Sequence, residues 1–288
     1  MNPVIRPRRS VLYMPGINQR AMEKAGTLDV DAVILDLEDA VAPDRKEEAR
    51  GLVCERVAQR DYGYREVVIR VNGEGTPWHE ADIVAAAKAC PDAILVPKVE
   101  DASMAQRCLK RIGAGGPCLW VMIETPAGIA NVDTIAAVEG VDVLVMGTSD
   151  LIKEFRITDH PERLPLLYSL SRTVAAARRY GCDALDGVTL DLKDLDALEK
   201  VCRQGRDLGF DGKTLIHPTQ VGPANAIFGP DLGAVSEAKE VVVAWEKTLA
   251  EGKGVAVLNG RMIENLHAEQ ARRVVAFAHA LETRKGDS

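Results

Sequence analysis

A carboxylate ends the apolar run in WVMIETPAG, residues 120–128. Trp120-Val121-Met122-Ile123 runs into Glu124 and is stopped at once by Thr125-Pro126. An apolar run closed by a turn signal reads as a buried strand, and Pro126 cannot continue a ladder. Glu124 is therefore expected at the carboxyl end of a strand, where parallel α/β folds build active sites. A plainer reading, a strand-end Glu that caps the next helix, competes with this one. Other apolar runs end on reactive side chains in the same way. Tyr13 lies in the first, Asp36, Glu38 and Asp39 close the second, and Arg70 and Asn72 the third. Lys98, Asp150 (with Ser149 beside it) and His217 close three more.

If these strands share one sheet, their carboxylates converge and repel one another unless a cation sits among them. Oxygen-only donors from separate strands, with no histidine–carboxylate cluster, favour Mg²⁺, or Mn²⁺ in its place, over zinc. The planar fork of Arg70 matches a carboxylate with two hydrogen bonds; its alternative is a salt bridge across the mouth of the fold. Asp36, Glu38 and Asp39 precede a helix start near Pro43 and could cap it instead. His217 has a purely structural role as its alternative.

The elements that must carry these residues follow from the pattern. Strands are expected over 10–14, 32–37, 67–71, 93–96, 120–124, 141–146, 184–185 and 212–216. Helices are expected from about 18, over 43–60, from 77, and over 102–112, 132–138, 164–180 and 192–208. Eight strands with helical crossovers fit a (β/α)8 TIM barrel. An open doubly wound sheet is the alternative, but its glycine fingerprint is missing. The glycine-rich stretch 113–116 precedes a strand, whereas a phosphate cradle follows one and opens a helix, so it reads as a linker. The barrel is expected to take residues 1–230. Residues 231–288 are read as a C-terminal helical extension, with helices over 236–250 and 264–282 around a short extended run at 255–258. Such an extension packs either on its own barrel or on a neighbouring subunit.

Bulk properties bound the rest. The 288 residues suffice for one large domain or two ordinary ones. With 36 basic against 43 acidic residues the formal net charge is −7, which argues against nucleic acid or an anionic membrane as partner. The six cysteines are scattered and never spaced C-x-x-C, unlike a zinc cluster or a small secreted disulfide framework. No apolar run approaches the ~18 residues of a membrane span. Arg8-Arg9-Ser10-Val11-Leu12 resembles the start of a twin-arginine signal, but Pro15, Gly16 and Asn18 stand where its apolar region should be. A cytoplasmic protein is expected.

The motifs SVLYMPG, DAVILDLEDAV, IRVNG, ILVPKVE, VMIETPAGI, VLVMGTSDL, GFDGKTLIHPTQV and LNGRMIENLHAEQARR occur in that order. Together they resemble, over nearly the whole chain, the citrate lyase β-subunit-like, or CoA-ester lyase, family of the HpcH/HpaI aldolase superfamily. The resemblance implies a (β/α)8 barrel, Mg²⁺ dependence and a homotrimer or hexamer. By motif position it implies Glu124 and Asp150 as metal ligands and Arg70 as the clamp on a substrate carboxylate, with Ser149 alongside. It puts Tyr13, Arg20 and Lys24 near the CoA, with Ile216 and His217 lining the same channel. Arg20 and Lys24 lie four residues apart on one helix face and could hold CoA phosphates; a solvated basic face is the alternative. Acid–base work falls to Glu264, Asp36, Glu38 or Asp39. Lyases of this family commonly carry an Asp, delivered into a neighbouring subunit's site, where this chain has Glu264, one methylene longer; the resemblance leaves open whether Glu264 acts in its own subunit or a neighbour's.

The activity so implied is Mg²⁺-dependent carbon–carbon cleavage, or condensation, of malyl-CoA, β-methylmalyl-CoA or citramalyl-CoA. Its products are acetyl- or propionyl-CoA and a 2-oxo acid, glyoxylate or pyruvate. A malyl-CoA thioesterase, and a citrate lyase β subunit working on a carrier-bound thioester, are the alternatives.

Overall fold

Eight parallel strands close into a barrel in chain order: β1 (Ser10–Pro15), β2 (Ala32–Asp36), β3 (Glu66–Arg70), β4 (Ala93–Val96), β5 (Cys118–Ile123), β6 (Val141–Met146), β7 (Asp183–Asp186) and β8 (Gly212–Leu215). Closure runs through Ser10↔Lys213 and Leu12↔Leu215. The expected (β/α)8 architecture is thus the one adopted in the computed structural model, which describes residues 5–284. Val11, Ile34, Val68, Leu95, Trp120, Val143 and Leu185 fill the barrel, while their neighbours Leu12, Leu35, Ile69, Ile94, Val121 and Leu144 lie under the helices. Burial on both faces is why these strands read as continuous apolar runs rather than alternating ones. Each such side chain contributes roughly 1.5–3 kcal/mol on burial.

The helices are α1 (Gln19–Ala25), α2 (Lys46–Ala58), α3 (His79–Ala89), α4 (Ala102–Ile112), α5 (Pro126–Ala136), α6 (Thr148–Phe155), α7 (Leu167–Tyr180), α8 (Leu195–Leu208) and α9 (Val221–Phe228). Three depart from expectation. Helix α5 starts at Pro126 rather than at 132, because Pro126 takes the first helical position and the Thr125 hydroxyl accepts the Gly128 N–H. Helix α6 opens on Gly147-Thr148-Ser149-Asp150, residues whose short polar side chains read as a turn. Helix α9 has Gly222 and Pro223 in its first turn, which read as breakers.

Arg8 closes the amino-terminal end of the barrel. Its guanidinium reaches both oxygens of buried Glu66 (2.7 and 2.8 Å), Asp183 (2.7 Å) and Asp142 (2.9 Å), and stacks 5.1 Å from the Trp120 ring. Arg9 binds Asp31 through Nε and Nη2, at 2.9 Å each. The arginine pair that looks like a targeting signal is structural.

The chain divides into two units, Arg8–Phe228, which holds the barrel, and a smaller one that joins the described residues up to Pro7 with those from Gly229 onward. The smaller unit contains α10 (Leu232–Ala250), an antiparallel pair β9 (Ala256–Leu258) and β10 (Arg261–Ile263), and α11 (Asn265–Thr283) around Val241, Trp245, Ile263 and Ala271. Strand β10 was not expected, although Asn259-Gly260, with φ of 50° and 76°, is the turn that makes a hairpin. Among the described residues no helix is long and apolar enough to cross a membrane.

Candidate active site

Residues at the carboxyl ends of the barrel strands meet in one charged cluster. Asp36 and Arg70, paired in register at the ends of β2 and β3, join by two parallel hydrogen bonds, Nε to Oδ1 at 2.6 Å and Nη2 to Oδ2 at 2.7 Å. Asp36 also accepts the N–H groups of Glu38 (2.9 Å) and Ala40 (3.0 Å), which uses all four of its lone-pair directions. Arg70 Nη1 turns to Glu38 Oε2 at 2.9 Å and to Asp39 at 3.5 Å, and Tyr13 stacks 4.8 Å from the guanidinium. The fork that the sequence offers to a substrate carboxylate thus meets Asp36 through Nε and Nη2, and Nη1 faces Glu38 and Asp39. Lys46 fixes the turn after β2 by donating to the carbonyls of Leu37 (2.8 Å) and Glu38 (2.6 Å).

Glu124 follows β5 and is buried, 2% exposed. Its Oε1 accepts the Lys98 N–H at 2.8 Å. Lys98 holds that N–H in place with a left-handed φ of 53°, a conformation that costs a non-glycine residue of order 1 kcal/mol or more. The Lys98 ammonium lies 3.5 Å from Glu38 and 4.0 Å from Asp150. Asp150 sits in the first turn of α6, where the helix dipole favours a carboxylate. Gly147, the N-cap of α6, is pressed against Glu124: a Cβ there would stand 2.2 Å from Oε2. Burial, then repulsion from Glu38 and Asp150, pushes the Glu124 carboxyl up to about 7. Burial also raises Glu38, against the pull of Arg70.

A cavity of about 340 Å³ opens over this cluster. Of the residues singled out in the sequence, Tyr13, Asp36, Asp39, Arg70, Glu124, Ser149, Asp150 and Ile216 line it. His217 is not among them; its Nδ1 bonds the Thr219 hydroxyl at 2.8 Å and caps a short turn of 3₁₀ helix, its structural alternative. Arg20 and Lys24 are exposed on α1 and do not line the cavity either. Asn72 turns away to Asp82 (2.6 Å). Glu264 lies in the smaller unit, where it forms a reciprocal capping box with His267 at the start of α11. Sequence reasoning missed Met122, Thr148, Val188, Leu190 and Thr214. Period two would have found Met122 from Glu124 and Thr214 from Ile216; nothing in the sequence marks the loop that carries Val188 and Leu190. A shallower groove of about 420 Å³ between α4 and α5 gathers no comparable set of ionisable groups.

Among the described residues no three or more His, Cys, Asp or Glu side chains gather as a ready-made metal cage. Glu124 and Asp150 offer oxygen donors only, which suits Mg²⁺, an ion that binds through one or two carboxylates and takes its other ligands from water and substrate. Burial first, and then the facing carboxylates Glu38 and Asp150, raises the Glu124 carboxyl; a divalent ion beside it would favour the ionised form. The residues fit the ion.

The chain matches the family described as HpcH/HpaI aldolase/citrate lyase over residues 9–218. It is similar to (3S)-malyl-CoA thioesterase from Cereibacter sphaeroides, with 46% identity over 96% of both chains. It is also similar to citrate lyase subunit beta from Leuconostoc mesenteroides, with 33% identity over 96% of this chain and 94% of that one. Among solved structures it resembles the protein CitE of Mycobacterium tuberculosis in complex with magnesium, acetoacetate and coenzyme A. That likeness has a TM-score of 0.76 and 26% identity, and covers 92% of this chain and 97% of that one.

Proposed function

This chain belongs to the HpcH/HpaI aldolase/citrate lyase family, and from that premise we propose that it is a Mg²⁺-dependent enzyme that cleaves a malyl-CoA-type ester, a 3-hydroxyacyl-CoA with a carboxylate beside the hydroxyl. One observation carries the reading: Glu124 and Asp150, two carboxylates from separate strand ends, share one cavity with Arg70. Glu124 and Asp150 would hold the ion. When bound, Mg²⁺ supplies Lewis acidity and a template for the hydroxyl and carboxylate oxygens. Asp36 and Tyr13 hold the Arg70 guanidinium rigid, so that Nη1 can exchange Glu38 and Asp39 for the substrate carboxylate without reorganising.

The hydroxyl proton then passes to a carboxylate, for which the family resemblance nominates Glu264. The hydroxyl carbon becomes the carbonyl of a 2-oxo acid, and the electrons of the broken carbon–carbon bond go to the α-carbon of the departing acyl-CoA, which takes up a proton. A cytoplasmic location and a homotrimer or homohexamer belong to the same reading; sedimentation analysis tests the latter.

Thioester hydrolysis is a second reading, favoured by the 46% identity to a malyl-CoA thioesterase. One experiment separates them. The purified chain is incubated with Mg²⁺ and malyl-, β-methylmalyl- and citramalyl-CoA, and the products are read by mass spectrometry. Acetyl- or propionyl-CoA with glyoxylate or pyruvate supports cleavage; free CoA with the hydroxy acid supports hydrolysis. Turnover of neither kind refutes both and leaves a subunit that needs a carrier-bound thioester.

A further inference from the structure

Several buried polar side chains around β7 and β8 take no part in the chemistry above, yet they converge on one loop. Lys213 on β8 and Asp186, the last residue of β7, are both fully buried. The Lys213 ammonium donates to the carbonyl of Gly187 and lies 3.6 Å from the Asp186 carboxylate. Arg163 holds that carboxylate from the other side, with Nη1 2.7 and 2.8 Å from its two oxygens. The Thr214 hydroxyl donates to the Asp186 carbonyl at 3.1 Å. Gln220, also fully buried, donates to the Thr189 carbonyl at 3.0 Å and accepts the Ile216 N–H at 3.0 Å. The carbonyls of 186, 187 and 189 are thus each tied to β8 or to the turn that follows it.

Burying a lysine is expensive, and an apolar residue of similar volume often stabilises a core as well or better. Stability alone therefore gives no reason for Lys213. The loop it grips does. Residues 187–190, Gly-Val-Thr-Leu, carry no charge, and Val188 and Leu190 line the same cavity as Glu124 and Asp150. Leu190 is 66% exposed, a large apolar side chain left at the rim. Gly187 lets the loop pack directly on α6, since a Cβ there would stand 2.5 Å from the Thr148 hydroxyl oxygen. One boundary of the cavity is therefore charged, with Glu124, Asp150 and Arg70, and another is apolar and fixed from outside the barrel.

We propose that Lys213 and Gln220 are positioning residues that hold Val188 and Leu190 as an apolar wall, and that this wall selects the carbon skeleton of the substrate. The substrate class rests on the reading given above. A molecule whose oxygens are held by Arg70 and by an ion that Glu124 and Asp150 would carry must present its carbon-bound substituents to some other surface, and the wall is the apolar one at hand. Its place decides whether a hydrogen or a methyl branch fits.

The test uses the full chain and three variants, Leu190→Ala, Lys213→Met and Gln220→Met. Hydrogen exchange over residues 187–192 is measured without substrate. The ratio of kcat/KM for a methyl-branched ester (citramalyl- or β-methylmalyl-CoA) to that for malyl-CoA is measured with Mg²⁺. Leu190→Ala should raise the ratio about tenfold or more, the range that a methylene commands in an apolar pocket. Lys213→Met and Gln220→Met should speed exchange over 187–192 about tenfold or more and move the ratio the same way. A merely structural role would lower the melting temperature and both kcat/KM values together, with the ratio fixed, and that result overturns the proposal. So does unchanged exchange. If Lys213→Met does not fold, Gln220→Met and the rim variant Leu190→Ala decide the matter. If the parent turns over no ester in the panel, the substrate reading falls and selection by the wall falls with it, while the exchange measurement still judges the positioning.

Discussion

Gly147→Ala should disable the site while leaving the barrel folded. With φ of −99°, Gly147 has no need of glycine's conformational freedom; what it provides is space. An added Cβ would stand 2.2 Å from Glu124 Oε2 and 2.4 Å from Glu124 Cβ. The carboxylate could rotate away, but Glu124 Cβ is fixed to the backbone, so the end of β5 or of β6 must shift by about 1 Å to restore ordinary contact. Overpacking of this kind costs about 1–3 kcal/mol, offset in part by the ~0.4–1 kcal/mol gained when the unfolded chain loses glycine's freedom. The net effect is a melting temperature lower by a few degrees. The functional effect is larger, because a displacement near 1 Å in a positioned group costs roughly 10²-fold in rate. Thermal melting, Mg²⁺ titration and kcat/KM on the malyl-CoA-type ester provide the three readings. Gly222→Ala is the control: nothing lies within 4 Å of its added Cβ, and no loss is expected. Magnesium affinity and kcat/KM within about threefold of the parent in Gly147→Ala would mean that the place of Glu124 is not critical to the site.

Because the Glu124 carboxyl sits at about 7, protons and a divalent ion compete for it. The Mg²⁺ dissociation constant, read by calorimetry, should fall as pH rises to about 7 and level off above; a flat profile from pH 5.5 to 8 contradicts this. Arg70→Lys keeps the charge but cannot span both oxygens of Asp36, so kcat/KM should fall about 10²-fold or more in steady-state assays. Glu264→Gln keeps an oxygen for the cap of α11 and removes the acid–base group. A fall in kcat of about 10²-fold or more at unchanged Mg²⁺ affinity is expected, and parent-like kcat would reduce Glu264 to capping.

The barrel was legible because both faces of its strands are buried, which writes each strand as an apolar run ended by Pro, Gly or a charge. Glu124, Asp36 and Arg70 were legible for the same reason, since each ends such a run. What the runs do not encode is who pairs with whom. Arg70 looks like a free clamp in one dimension, and only the register Asp36↔Arg70 reveals that its fork is already engaged. Lys98 read as one more cation, whereas its backbone N–H, held at positive φ, is what touches Glu124. For His217 the residue type suggests chemistry, while in the fold its Nδ1 meets the hydroxyl of its neighbour Thr219, a pairing the sequence does not announce. The 187–190 loop was invisible because nothing local distinguishes an apolar stretch beside a cavity from any other turn.

Two buried glutamates at opposite ends of this barrel should answer the same substitution with opposite signs. Glu66, at the closed end, is 1% exposed and meets Arg8 through both oxygens. Glu66→Gln sets an amide against a guanidinium and weakens a buried pair. The cost should lie near the lower end of roughly 3–5 kcal/mol, since Arg8 keeps Asp142 and Asp183. Glu124, at the open end, is equally buried but is held by a backbone N–H and faces Glu38 and Asp150. Its folded carboxyl keeps a proton that the unfolded chain has already released, so metal-free stability declines as pH rises from the ordinary carboxylate range through about 7. Glu124→Gln removes that penalty. Without metal, its melting temperature should exceed the parent's at pH 8 and approach it near pH 5, where the parent is protonated too. Added Mg²⁺ should reverse the order, because only the parent keeps both ligands and gains stability by binding. A lower metal-free melting temperature for Glu124→Gln at pH 8 would mean that the charge is compensated within the protein, and the argument for a divalent ion at the mouth would lose its physical basis.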